Sequence, residues 1–121
     1  MVLVTSNKEK QLLCFNYIGD VDPDQLARLE ADVQALEAEL KPGFRTLVDL
    51  SELDSMDLEC LKGLGRLMEL ADKNGVGLIV RVIPDPHKDI GFNILSIFHY
   101  VNRPQIITCK NMAEAGKHLG L

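Results

Sequence analysis

The chain has 121 residues, of which 46% are hydrophobic and 26% charged, and its formal net charge is −5. This length suits a single domain over residues 1–121, which can bury about two-thirds of its unfolded surface and needs no metal or disulfide to fold. The acidic balance argues against a nucleic-acid partner. No apolar run reaches the roughly 18 residues of a membrane span, and the amino terminus lacks a signal peptide. We therefore expect a cytoplasmic protein.

The first half of the chain predicts a β-hairpin, a helix and a buried strand. Two short β-type runs, 2–5 and 12–18, are separated by a polar turn. Asp22 can then cap a helix, with Pro23 at its first position and Gln25 completing a capping box. Apolar residues recur every three or four positions and form one stripe along this helix: Leu26, Leu29, Val33, Leu36 and Leu40. The helix ends at 41–43, and a central strand follows over 44–50.

The second half predicts three more helices and two more strands. A polar loop over 51–57 leads to a helix that ends at Asn74 and Gly75, and its apolar positions are Leu58, Leu61, Leu64, Leu67, Met68 and Ala71. Gly63 and Gly65 in this helix indicate close packing against a neighbour. A strand over 76–83 precedes a helix from Pro86 to Val101, and a strand over 104–109 follows. Asn111 and Glu114 form a capping box for a final helix, whose inward residues are Met112, Ala115 and Leu119.

The element order is therefore β-β-α-β-α-β-α-β-α. Strands that alternate with helices need crossover connections, which place the helices on the faces of the sheet and make the last three strands parallel. We predict an α/β fold with a mixed sheet and four helices.

This order resembles the STAS domain, the fold of bacterial anti-sigma-factor antagonists, and equally the related STAS/SEC14-like proteins. The local match is Arg45-Thr-Leu-Val-Asp-Leu-Ser51, which is similar to the family's strand ending in Asp-Leu-Ser. The resemblance implies a non-enzymatic regulatory domain of bacterial signalling that binds a kinase-like or sigma-regulatory protein.

The resemblance also bears on a phosphorylation switch. In the regulatory members, a Ser in an Asp-Ser pair at the start of the second helix is phosphorylated. In this chain the positions equivalent to that pair are Asp57 and Leu58, so no hydroxyl stands there. The pair Asp54-Ser55 lies three residues earlier in the sequence. We predict that the switch is lost and that Ser55 is a turn or capping residue. The alternative is that Ser55 remains a phosphoacceptor.

The loops after the third and fourth strands are predicted to share one surface, because ligands bind outside the carboxyl ends of parallel strands. The candidate partner- or ligand-binding residues are Asp49, Ser51, Asp54, Asp57, Asp85, His87 and Lys88. A protein partner is the favoured interpretation. The alternative is a small anionic or lipid-like ligand, whose head group would be held by His87, Lys88 and Arg81 above a cavity lined by Phe92, Phe98 and Tyr100. The edge of the opening hairpin could also support a homodimer.

Catalytic and metal-binding patterns are weak. Cys14, Cys60 and Cys109 are widely spaced and are typical of buried thiols in a reducing compartment. The chain has no phosphate-binding Gly loop and no nucleophile elbow. A thiolate pair of Cys60 with His87 is the remaining enzymatic alternative. We predict no catalytic residue, no cofactor and no metal site.

Overall fold

The computed structural model describes residues 1–85, 96 and 99–121. Five strands form one sheet in the order β1 (Val2–Asn7), β2 (Leu12–Val21), β3 (Arg45–Met56), β4 (Leu78–Val82) and β5 (Gln105–Cys109). β1 is antiparallel to β2, and every later pair is parallel. Three helices lie wholly within the described ranges: α1 (Pro23–Ala38), α2 (Cys60–Lys73) and α3 (Met112–Leu119).

This architecture confirms the predicted α/β fold with a mixed sheet and parallel later strands. The fourth predicted helix, from Pro86 to Val101, falls mostly on residues outside the described ranges. Of that stretch, Ser96, His99, Tyr100 and Val101 are described; Ser96 and His99 are helical, whereas Tyr100 and Val101 are not. No helix within the described ranges is both long and apolar enough to cross a membrane.

The sheet has a hydrophobic cluster on each face. Alternate residues of each strand point to opposite faces, so Leu13 joins the cluster under α1 and α2, whereas Leu12 joins the cluster under α3. Each fully buried Leu or Val contributes roughly 1.5–3 kcal/mol. In α3, Ala115 and Leu119 are buried as predicted. Met112 is 47% exposed, so its predicted inward position is wrong: it is the first residue of the helix and lies beyond the edge of that cluster.

The start of α1 matches its prediction. The Gln25 amide donates to Asp22 Oδ1 at 2.9 Å, and the Asp22 amide donates to Gln25 Oε1 at 3.2 Å. A cap of this kind stabilises a helix by about 1 kcal/mol. It also fixes the point at which the chain leaves β2 and turns into α1.

β3 is longer than predicted. The expected loop over 51–57 is strand as far as Met56, and β2 also continues past its predicted end to Val21. The register between them shifts at Gly19, which has a left-handed φ of +67°. In this extension only Val21 and Leu53 are buried. The stretch is polar because most of its side chains face solvent, and that composition led to the incorrect prediction of a loop.

α2 begins at Cys60, which corrects the predicted apolar stripe at its first turn. Leu58 precedes the helix and is 83% exposed, and Leu61 is 42% exposed. The buried stripe begins instead at Cys60 and continues through Leu64 and Leu67. The predicted placement of Leu58 in this helix is therefore wrong, because the helix starts at Cys60, and Leu61 lies on its more exposed side.

The two glycines of α2 allow close approach, as predicted. A Cβ built on Gly63 would lie 3.1 Å from Leu26 Cβ, so this position brings α1 and α2 together. A Cβ on Gly65 would lie 2.7 Å from His99 Nε2. The His99 ring therefore occupies the space that Gly65 leaves open, and its Nδ1 lies 2.7 Å from Glu69 Oε1.

One acidic side chain is buried where the ends of α1 and α2 meet. Glu37 is 1% exposed, and its Oε1 accepts a hydrogen bond from Asn74 Nδ2 at 3.0 Å. Its Oε2 has no hydrogen-bond partner among the described residues. Burial raises the pKa of the Glu37 carboxyl to about 7, and the Asn74 bond opposes this shift only in part.

We expect Gly65→Ala to destabilise the protein by about 1 kcal/mol, because the new methyl group displaces the His99 ring. In a His99→Ala background the same change should stabilise by about 0.5–1 kcal/mol, since Ala has the higher helix propensity. Urea unfolding of the four proteins measures this coupling. Gly116→Ala in α3 is the control, since the nearest atom to its Cβ is 3.9 Å away. An equal effect of Gly65→Ala in both backgrounds would contradict this packing.

We expect Glu37→Gln to stabilise the protein by about 1–3 kcal/mol at pH 8 and to have little effect at pH 4.5. The folded-state pKa is raised, so the stability that neutral Glu37 contributes is fully present below its ordinary pKa of 4.5 and is lost as the pH rises through about 7. Urea unfolding at the two pH values tests this. Glu39→Gln, in which the exposed carboxylate that pairs with Lys8 is neutralised, should show no comparable pH dependence.

Candidate functional site

The predicted surface begins at the edge where β4 ends. Asp49 of β3 pairs with Val82, the last residue of β4. Pro84 and Asp85 follow directly and are exposed, so they lie at the same edge as Asp49. Asp49 Oδ1 accepts hydrogen bonds from the Ser51 amide at 3.0 Å and from Ser51 Oγ at 2.6 Å. This turn-like bonding fixes the Asp49 carboxylate.

Beyond this edge, β2 and β3 continue without β4. Ser55 pairs with Asp20 across the two strands, and Ser55 Oγ donates to Asp20 Oδ1 at 2.5 Å. Ser55 therefore lies within a strand, and α2 begins five residues later. The predicted turn or capping position of Ser55 is wrong, because its hydroxyl bonds across the sheet to Asp20.

Acidic residues are concentrated in this extension and in the chain segments next to it. Eight of the chain's 18 acidic residues lie in the segments 12–27 and 46–61, which contain no Lys or Arg. These segments therefore carry a formal charge of −8, and the remaining ten acidic and 13 basic residues give +3. We call this group the acidic corner; its members are Asp20, Asp22, Asp24, Asp49, Glu52, Asp54, Asp57 and Glu59.

An exposed apolar pair lies within the acidic corner. Leu58 is 83% exposed and Leu61 is 42% exposed, and acidic residues stand on both sides of Leu58 in the sequence, at Asp57 and Glu59. The Asp57 and Leu58 carbonyls accept the amides of Cys60 and Leu61 at 2.9 and 3.1 Å, so the backbone of this turn is held in place. Leu58 and Leu61 are thus two exposed apolar side chains next to acidic residues in the sequence.

Cys60 lies beneath the acidic corner and is fully buried. Its Sγ donates to the Val21 carbonyl at 3.5 Å. Burial raises the pKa of the Cys60 thiol, and the negative charges of Asp57, Asp22 and Glu59 raise it further. The thiol is therefore the stable form at neutral pH, which is unsuited to a nucleophile.

The other two cysteines differ in burial, and burial raises the pKa of both thiols. Cys109 is 2% exposed, and burial raises the pKa of its thiol. Cys14 is half-buried, so the prediction of burial is not met there, although its pKa is also raised by burial. All three cysteines are free thiols.

A second feature lies on the helical face of the sheet. Between β2, β3, β4 and α2 there is a cavity of about 40 Å³, which opens partly to the surface. It is lined by Phe15, Tyr17, Thr46, Val48, Leu64, Leu67, Met68, Ala71, Ile79, Arg81 and Tyr100. Sequence reasoning suggested Arg81 and Tyr100 for such a cavity but missed Thr46. The signal for Thr46 was a polar residue at a core-facing position of a buried strand.

Two predicted site residues, His87 and Lys88, lie outside the described residues. The predicted cavity residues Phe92 and Phe98 also lie outside them. Within the described ranges, no three His, Cys, Asp or Glu side chains come together in a way that could hold a metal ion. The structure thus brings together Asp49, Ser51, Asp54 and Asp57 along β3 and its continuation, and it places Asp85 at the adjoining edge.

No protein-family model and no curated protein matches the chain. Solved structures do resemble it. An uncharacterized DUF3478-family protein with a SpoIIAA-like fold from Shewanella loihica PV-4 has a TM-score of 0.74 and 13% identity, over 98% of this chain and 92% of that one. The anti-sigma factor antagonist SpoIIAA in its unphosphorylated form has a TM-score of 0.65 and 14% identity over the whole of both chains.

An anti-sigma factor antagonist from Mycobacterium paratuberculosis gives a TM-score of 0.60 and 17% identity, over 100% of this chain and 94% of that one. At these identities the likeness is one of fold. The chain has a STAS-like fold of the SpoIIAA type, which confirms the resemblance inferred from its sequence.

We expect Cys60 and Cys109 of the native protein to react with iodoacetamide at neutral pH about 100-fold more slowly than in the unfolded chain, because both are buried thiols. Cys14, which is half-buried, should react faster than either. Peptide mass spectrometry after timed labelling measures the three rates. A Cys60 that reacts as fast in the native as in the unfolded protein would restore the enzymatic alternative.

Proposed function

We propose that this protein is a single-domain, non-enzymatic regulatory module that binds a protein partner through the acidic corner. Its fold is that of anti-sigma factor antagonists, which supports a kinase-like or sigma-regulatory partner in the bacterial cytoplasm. The observation that carries the proposal is the exposure of Leu58 within the acidic corner.

Leu58 is the proposed anchor of the interface. Interfaces gain most of their binding energy from a few buried side chains, and a surrounding rim excludes water. An 83% exposed leucine has nearly all of its apolar surface available for this purpose, and Leu61 extends it. Docking of Leu58 in an apolar pocket would contribute roughly 1.5–3 kcal/mol.

The carboxylates form the proposed rim. Asp54 and Asp57 are exposed on either side of Met56, and Asp49, Ser51 and Asp85 mark the adjoining edge. A partner with Lys or Arg around an apolar pocket would be complementary to this arrangement. The proposed contact surface also includes His87 and Lys88, which follow Asp85 in the sequence.

Ser55 is proposed to be part of this surface and not a phosphorylation switch. A phosphate on Ser55 would place nearly two negative charges beside Asp20, which Ser55 already contacts at 2.5 Å. The two segments of the acidic corner offer no Lys or Arg to pair with such a phosphate. In this proposal, Ser55 instead ties the ends of β2 and β3 together through its bond to Asp20.

Affinity capture from a lysate of the source organism tests the proposal. The wild-type chain should retain one partner with a kinase-like or sigma-regulatory domain, and Leu58→Ser should reduce its recovery about tenfold or more. Ser55→Asp and Ser55→Ala should capture it as well as the wild type does. Mass spectrometry of the bound fraction gives the measurement.

Met112→Ser provides the matched control, because Met112 is 47% exposed and belongs to α3 on the opposite face of the sheet. It should leave capture unchanged. Equal losses with Leu58→Ser and Met112→Ser, or no partner at all, would contradict the proposed surface. Loss of the partner in Ser55→Asp alone would show that Ser55 is a switch after all.

A further inference from the structure

β1 is the last strand on one side of the sheet, so one of its edges has no neighbouring strand. The Met1 amino group donates to the Ile18 carbonyl at 2.7 Å, and the Ile18 amide donates to the Met1 carbonyl at 2.8 Å. Bonded and non-bonded pairs alternate along an antiparallel ladder, so Leu3, Thr5 and Asn7 bond to β2 in the same way. The residues between them direct their amides and carbonyls away from β2: Val2, Val4 and Ser6.

This outer edge of β1 is open to another strand. No described residue bonds to the outward backbone groups of Val2, Val4 or Ser6. Natural proteins protect such edges with charged side chains, proline or a bulge. The strand has none of these, since its sequence is Val-Leu-Val-Thr-Ser-Asn and its pairing with β2 runs without a shift. Three amides and three carbonyls of β1 therefore remain to be paired.

The spacing of these groups makes the edge complementary to itself. We consider two β1 strands that run antiparallel about a two-fold axis at Val4. Val2 of one copy then lies opposite Ser6 of the other, and the two Val4 residues face each other. Each opposed pair exchanges two hydrogen bonds, so every outward group of both copies is satisfied. A shift by two residues in either direction leaves some of them unpaired. The edge thus favours a second copy of this chain, in one register.

The position of α1 is compatible with this pairing. The helix lies over β1 and β2. Because strands are spaced about 4.8 Å apart, the two copies of α1 would run antiparallel at about 10 Å, which is normal for packed helices. An open cleft of about 260 Å³ runs beside Val2, between β1 and the flank of α1 that carries Gln25, Arg28 and Asp32. Ser6 of the second copy would lie at the mouth of this cleft.

The charges beside this edge also match across the two-fold axis. Arg28 lines the same cleft as Val2, whereas Glu39, at the end of α1, pairs with Lys8 at 3.3 Å. The two-fold pairing sets the Val2 end of one copy against the Ser6 end of the other, so Arg28 of each copy approaches Glu39 of the other. Within its own copy, Arg28 forms no ion pair with a described residue. Charge complementarity thus supports the same pairing as the backbone does.

We propose that the protein forms a homodimer through β1, in which the two five-stranded sheets join into one continuous sheet about a two-fold axis at Val4. Leu3, which is 45% exposed, would be covered by Thr5 of the other copy. One strand pair with a helix flank is at the small end of specific interfaces, so we expect a Kd on the order of 10 μM. The pairing uses none of the residues of the acidic corner and does not depend on the proposed function.

Sedimentation equilibrium of the full chain, with any affinity tag at the carboxyl terminus, tests the proposal between about 1 and 300 μM. The wild type should change from monomer to dimer across this range. Thr5→Lys should raise the Kd at least tenfold, because it places a charge against Leu3 of the other copy on both sides of the axis. Gln105→Lys puts the same charge at an exposed position of β5, on the opposite edge of the sheet. It is the matched control and should dimerise as the wild type does.

Two double variants test the register. Residue 3 of one copy faces residue 5 of the other in the proposed pairing. Leu3→Lys with Thr5→Lys should abolish the dimer, because like charges then face each other twice. Leu3→Lys with Thr5→Glu should dimerise within about tenfold of the wild type, since opposite charges then face each other at both places. Both positions are exposed within one copy, so urea unfolding should show that both double variants fold.

Hydrogen exchange followed by NMR at about 300 μM gives an independent measurement. The amides of Leu3 and Thr5 bond to β2, so they should be protected in the wild type and in the double-lysine variant alike. The outward amides of Val4 and Ser6 should exchange about tenfold more slowly in the wild type than in that variant. Equal exchange of Val4 and Ser6 in the two proteins would contradict the pairing.

Other outcomes would also overturn the proposal. A wild type that stays monomeric at about 300 μM has no such interface. Equal losses in Thr5→Lys and Gln105→Lys, or a Leu3→Lys, Thr5→Glu variant no better than the double-lysine variant, would exclude the register. Loss of the dimer in Leu58→Ser would assign self-association to the acidic corner instead. Capture of a protein partner is read out separately, so failure of either proposal leaves the other standing.

Discussion

The length of the parallel pairing between β2 and β3 determines most of this structure. The two strands remain paired from Leu12 and Arg45 to Val21 and Met56, although β4 stops beside Asp49. The first part of this pairing forms the floor of the core under α1 and α2. The second part has no β4 beside it, so it exposes its polar residues. The core with its cavity and part of the acidic corner thus lie along one strand pair.

The elements that could be predicted are those whose conformation is determined by residues close in the sequence. The cap at Asp22, the left-handed Gly75 after α2 and the opening β-hairpin follow from neighbouring residues alone. The continuation of β3 to Met56 could not be predicted in this way, because its stability comes from hydrogen bonds to β2, more than thirty residues away.

The candidate site was predicted only in outline for a related reason. The polar residues after Asp49 are visible in the sequence, but their common charge becomes a surface only when β2 brings Asp20 beside Ser55. Leu58 was misplaced because it continues the spacing of the leucines in the second helix, whereas α2 begins only at Cys60. Thr46 was missed because one polar residue in an apolar strand seldom marks a cavity, and the cavity requires α2 and Tyr100 to close it.

The separation of charge affects the diffusional encounter of this protein with other molecules. With −8 in the two segments of the acidic corner and +3 in the rest of the chain, the protein has an electric dipole with its negative end at that corner. In the proposed interaction, this field would orient a cationic partner within a Debye length of about 10 Å, before any contact forms, and would accelerate their encounter. In the proposed interaction, selection of a partner therefore begins during diffusion, before Leu58 makes any contact.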